Sequence, residues 1–158
     1  MPTVLTHPNP QLRIVSSLVV DTAFGLDDLK ELEAKLRLAM KADEGIGIAA
    51  PQIGVSKRVI LVSMPHVGPR AFVNPVIVRR SNTFVEFEEG CLSVPGVFGI
   101  VDRHKGVDVE AKTIDGHPVA LSLKGLHAIV FQHEIDHLDG ILFIDKVKRF
   151  THGSVQKP

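Results

Sequence analysis

The stretch "KGLHAIVFQHEIDHLDG", residues 124–140, constrains the fold more than any other. Wound as a helix and closed by Gly140, it sets Leu126, Ile129 and Val130 on one side. Ala128, Phe131, Ile135 and Leu138 fall on the other. A helix that is apolar nearly all round is buried on all sides, so the rest of the chain must be able to wrap it. Yet the same helix carries His133, Glu134 and His137, and ionisable groups are costly to bury without partners.

The wrapping material reads as strands. "KRVILVSM" (57–64) is a buried strand. "RAFVNPVIVRR" (70–80) is another, interrupted at Pro75 and so expected at an edge or a bulge. "NTFVEFEEG" (82–90) alternates, and "KGVDVEAKTIDGHPVALSL" (105–123) is a hairpin about Asp115-Gly116. "ILFID" (141–145) is expected as a short final strand, and the tail "KRFTHGSVQKP" as short and frayed at its end. Before them, "LDDLKELEAKLRLAMKADEG" (26–45) is an amphipathic helix burying Leu29, Leu32, Leu36, Ala39 and Met40, with Asp27 as N-cap and Gly45 as stop. The expected fold is α+β: mostly antiparallel strands around a central buried helix, plus one N-terminal amphipathic helix. With 158 residues and 44% hydrophobic content, residues 1–158 suit a single domain with a real core and a short C-terminal tail.

Two histidines four apart on a helix point the same way and can share an ion. Glu134 lies between them in angle, about 100° from His133 at 3.6 residues per turn, so it can reach a reacting water without being a ligand. That is the mechanical content of H-E-x-x-H: two ligands and a general base. His127, six residues before His133, points elsewhere. A third ligand is still needed. Asp139 is turned away, Asp145 lies further on, and residue 143 is Phe, so no H-E-x-x-H-x-x-G-x-x-H extension exists. Cys91, the only cysteine, stands in "EEGCLSVPG" between a strand-like run and a Pro-Gly turn. It can be a thiolate ligand, a nucleophile or a buried small residue. "GIGIAAPQIG" (45–54) fails the dinucleotide pattern at Ala50 and suits close backbone approach. Its Gln52 amide could donate to a developing oxyanion, or the segment could be no more than a helix stop and tight bend.

Eighteen basic residues balance eighteen acidic ones, which gives no electrostatic case for DNA or an anionic membrane. No apolar run reaches the roughly 18–20 residues of a membrane span. No secretory signal pattern opens the sequence, and a lone thiol suits a reducing compartment, so a cytoplasmic location is expected.

Three stretches together resemble peptide deformylases: "GIGIAAPQ" (45–52), "EGCLS" (89–93) and "QHEIDHLDG" (132–140), in that family's order and at about its spacing. The likeness implies that Cys91, His133 and His137 hold one divalent metal ion, typically Fe(II), with Zn(II), Ni(II) or Co(II) as replacements. It implies Glu134 as general acid/base, and Gln52 with the backbone N–H of Leu92 on the formyl oxygen. Ile46, Gly47 and Gly90 would align the substrate backbone. Leu126, Ile129 and Val130 would line the methionine pocket, and Glu89 and Arg103 would form a structural ion pair. The implied activity is hydrolytic removal of the N-formyl group from the N-terminal methionine of nascent polypeptides, by a monomer in transient contact with the ribosome. Two departures stand out. Phe98 replaces an arginine that many bacterial members carry near the substrate peptide. The chain also stops soon after "ILFIDKVKRF", so no role of the long C-terminal helix of many members carries over. Two rival readings are another metal amidase on the same scaffold and a non-catalytic protein with a structural metal.

Overall fold

The computed structural model describes residues 2–156. Helix α1 spans Asp27–Ala42, β1 Gly47–Ala49, β2 Val59–Met64, β3 Gly68–Arg80, β4 Phe84–Cys91, β5 Val94–His104, β6 Gly106–Lys112, β7 Pro118–Lys124, α2 Gly125–Leu138 and β8 Val147–His152. One antiparallel sheet has the order β1-β2-β3-β6-β7 and the other β4-β5-β8.

Strand β2 explains how the larger sheet is covered. Val59 and Leu61 pack with Leu32, Leu36 and Met40 of α1, while Ile60 and Val62 pack with Val130, Phe131 and Ile135 of α2. Apolar residues at consecutive positions are what a strand buried on both faces requires. Phe131 meets Phe72 of β3 edge to face, ring centres 5.0 Å apart. The smaller sheet has its own core of Val94, Val97, Val101, Phe143 and Val147, with Leu12 from the N-terminal segment. Helix α2 is docked to β5 by a reciprocal amide pair, Gln132 accepting from the His104 N–H (3.0 Å) and donating to its carbonyl (2.8 Å).

Several expectations are corrected. Phe143–Asp145 form a 3-10 turn rather than a strand. Its Asp145 bonds back to the Leu142 N–H (3.1 Å) and pairs with Arg13, contacts that favour a turn over an extended run. The final strand comes later, at β8, which takes in the first part of the tail because Val147 and Phe150 find the smaller sheet's core. Pro75, by contrast, meets the second of its two expected settings: β3 lies between β2 and β6, and the ladder to β6 shifts register between Val73 and Val76, a bulge that absorbs the missing N–H. Asp27 is the first helical residue rather than the cap. At the other end, Glu44 takes the left-handed turn (φ 52°) and the Gly45 N–H closes on the Met40 carbonyl (3.0 Å). Pro95-Gly96 lie within β5, and the turn after Cys91 is made by Leu92 and Ser93. No helix is long and apolar enough to cross a membrane among the described residues.

Candidate functional site

The free edges β1 and β4 of the two sheets border a cleft of about 550 Å³ whose floor is α2. Ile46, Gly47, Gln52, Gly90, Cys91, Leu92, Leu126, Ile129, Val130, His133 and Glu134 all line it. His137 lies beneath, almost fully buried. His127 turns away to the Ser63 carbonyl (3.1 Å).

Helical spacing brings His133 and His137 to one side of α2, their rings 5.0 Å apart. The end of β4 brings Cys91 to meet them, with its sulfur 3.3 Å from His137 Nε2. One donor atom from each of Cys91, His133 and His137 lies within 4.8 Å of the others. A thiolate and an imidazole bound to one tetrahedral ion at typical bond lengths stand about 3.6 Å apart, so this close pair fits a shared ion. The donor types suit Zn(II) and Fe(II) alike.

Charge is managed by a chain of pairs, buried at Glu89 and Arg103 and reaching the surface at Lys146. His133 Nδ1 bonds Glu89 Oε1 at 2.8 Å. Arg103, 2% exposed, grips Glu89 through two bonds of 2.6 and 2.9 Å and reaches Asp136 at 2.7 Å. Lys146 joins Asp136 at 2.8 Å. Burial pushes the Glu89 pKa up, but hydrogen bonds from Arg103 and His133 outweigh it and hold it at about 2. For His133, burial works against the charged form, yet bonds to Cys91 and Glu89 lift its pKa well above the ordinary value. Burial and the neighbouring His133 charge depress that of His137.

Glu134 has no such support. Its Oε1 is buried without a hydrogen-bond partner, and burial raises its pKa to about 7. It occupies space that a side chain at residue 47 would need, since a Cβ on Gly47 would fall 2.8 Å from Glu134 Oε2. A buried, unpaired carboxyl facing a cleft is where a proton acceptor for catalysis is expected.

Gln52 sits in the 3-10 turn Ala50–Ile53. Its Oε1 accepts from the Ala49 N–H (2.9 Å), which fixes the amide so that Nε2 faces Ser93 Oγ (3.1 Å) and Cys91 Sγ (3.5 Å). The N-terminal segment clamps both loops: the Leu5 N–H donates to the Gln52 carbonyl (2.7 Å) and the His7 N–H to that of Ser93 (2.8 Å). Ser93 and Asp136 were not picked out from the residues alone. Ser93 follows the cysteine by two, and Asp136 lies on the helix face of His133, three on, so each carried a positional signal.

Two imidazoles and a carboxyl on a buried helix, met by a thiol from the facing sheet in an antiparallel α+β frame, are the layout of a metal-dependent hydrolase. A sequence model of the polypeptide deformylase family matches residues 1–152. The peptide deformylase of Desulforudis audaxviator (strain MP104C) is 43% identical over 143 residues, covering 90% of this chain and 91% of that protein. That of Maricaulis maris (strain MCS10) is 41% identical over 159 residues, covering 98% and 90%. The Met-Ala-Ser bound crystal structure of class I type b peptide deformylase from Acinetobacter baumannii superposes with a TM-score of 0.87 at 35% identity, over 91% of this chain and 97% of that one. The chain belongs to the peptide deformylase family.

Proposed function

We propose that this chain, as one catalytic domain over residues 1–158, hydrolyses the formyl amide at the N-terminal methionine of newly made polypeptides, releasing formate. The observation that carries the reading is the buried, unpartnered Glu134 carboxyl beside the Cys91, His133 and His137 donors. Those three residues would hold one divalent ion, Fe(II) first among candidates. Bound there, such an ion supplies Lewis acidity, polarising the formyl carbonyl and making water a better acid.

The chain's own residues do the rest. Glu134, with its pKa at about 7, is suited both to accept and to return a proton near neutrality. It takes one proton from the attacking water, then delivers it to the amide nitrogen as the C–N bond breaks, leaving formate and a free amine. The Gln52 Nε2 and the Leu92 N–H donate to the carbonyl oxygen as it gains charge. Ile46 and Gly47 beside one sheet edge, and Gly90 on the other, receive the peptide as an added strand. Ile129 and Val130, with Leu126 at the rim, take the methionine side chain. The Met-Ala-Ser peptide bound to the Acinetobacter baumannii relative supports this substrate class. The chain is proposed to act as a cytoplasmic monomer that meets nascent chains at the ribosome.

The test is formate release from formyl-Met-Ala-Ser by protein purified without oxygen, beside acetyl-Met-Ala-Ser and the unblocked peptide. Turnover of the formyl peptide alone is expected. Equal turnover of the acetyl peptide would point to a broader amidase, and none at all would refute the reading.

A further inference from the structure

The lining of the cleft divides by exposure. Gln52, Ile129, Val130 and Glu134 are buried and form the floor, while Phe87, Phe98, Asp43, Glu44 and Glu88 are exposed and form the mouth. A peptide whose first residue occupies the floor must leave through that mouth, so these residues meet whatever follows the methionine.

Two properties of the mouth are built in. The first is an aromatic platform. Phe98 is 41% exposed, yet its ring is held on both sides: it lies so close over Gly90 that a Cβ there would fall 2.5 Å from the ring, and it stands edge-on to His152, centres 6.0 Å apart. A ring fixed before binding loses little entropy when a second apolar group covers it. The second is charge. Asp43, Glu44 and Glu88 line the mouth, none is in an ion pair among the described residues, and no Lys or Arg lines the cleft. Arg149, level with Ile100 on the far side of β5, turns instead to Glu86 (3.9 Å). A formylated terminus carries no positive charge, so these carboxylates cannot serve the first residue.

Resting on the deformylase reading, we infer that this mouth sets sequence preference past the methionine: an apolar or aromatic second residue on Phe98, and a basic rather than acidic residue after it. Phe98 and Glu88 are specificity determinants for that preference.

The experiment measures kcat/KM of metal-loaded protein for formyl-Met-Phe-Lys, formyl-Met-Phe-Glu and formyl-Met-Ser-Lys. Alongside it, calorimetry gives the affinities of the corresponding deformylated peptides, which need no turnover. The Lys peptide should exceed the Glu peptide about tenfold at low salt, falling to about twofold in 0.5 M NaCl, because exposed charges are screened within a few ångström there. Phe in second place should exceed Ser about fivefold. Glu88→Gln should narrow the Lys/Glu ratio, and Phe98→Arg should abolish or reverse it while removing the Phe/Ser preference. Equal values for the Lys and Glu peptides at low salt, or a ratio unmoved by Phe98→Arg, would overturn the inference. If no peptide releases formate, the hydrolase reading fails, and the binding ratios still decide this one.

Discussion

Replacing Glu89 by Gln removes one charge and keeps the shape of the side chain. The amide can still accept from His133 Nδ1, but its NH2 now faces the Arg103 guanidinium where Glu89 Oε1 and Oε2 took bonds of 2.9 and 2.6 Å. Truncating one partner of a buried pair typically costs about 3–5 kcal/mol, because the other charge stays buried. Asp136 retains its 2.7 Å contact to Arg103, which favours the lower end. For a chain of this size that corresponds to a fall in Tm of roughly 6–20 °C. The pH dependence follows from the Glu89 pKa, which lies at about 2 in the fold against 4.5 as its ordinary value. A depressed pKa contributes stability that is fully present above the unfolded value and is lost as pH falls through the folded one. Here that contribution is on the order of 3 kcal/mol. Urea unfolding of wild type and Glu89→Gln, with chelator in both, should therefore show a gap of a few kcal/mol at pH 6 that closes steadily between pH 4.5 and 2. A variant as stable as wild type at pH 6, or a gap that persists unchanged to pH 2, would falsify the account of this ion pair.

Three further outcomes are expected. Glu134→Gln should lower formate release by at least about 10²–10⁴-fold with metal content unchanged, measured by elemental analysis of the same preparation; near-normal turnover removes Glu134 from the mechanism. Gly47→Ala should displace the Glu134 carboxyl, which a Cβ would meet at 2.8 Å, and lower kcat on the order of 10²-fold while Tm moves by only a few degrees. Unchanged kcat would show that the carboxyl can shift without consequence. Cys91→Ser should lose tightly held metal under dialysis against a mild chelator, and full retention would mean that the thiolate is not a ligand.

The parts of the site that were legible in the sequence are those whose geometry is local. Helical spacing alone aligns His133 with His137 and sets Glu134 between them. The apolar pattern of 126–138 told that the helix is enclosed, and the hairpin about Asp115-Gly116 has strands paired from Gly106↔Lys124 to Lys112↔Pro118. What escaped was non-local. Strand β5 carries Pro95, Gly96 and Gly99, residues that disguise a strand. Gly99 is needed because a Cβ there would strike Val147 at 2.8 Å, a contact with a strand 48 positions on. The Asp136–Arg103 link joins elements that only the tertiary fold brings together. Likewise β8 looked like a polar tail because only Val147 and Phe150 reach the smaller sheet's core.

The three donors around the candidate ion do not belong to one layer. His133 and His137 ride on α2, packed against the larger sheet, whereas Cys91 closes the edge strand of the smaller one. An ion held by all three would act as a rivet between the layers, drawing the walls of the cleft to a fixed separation. Occupancy would then tune the width of the substrate channel as well as its reactivity, and the melting temperature would rise with free metal concentration by mass action. A simple thermal melt across a metal titration would thus report how firmly the two halves of the fold are joined, without a substrate in the cuvette.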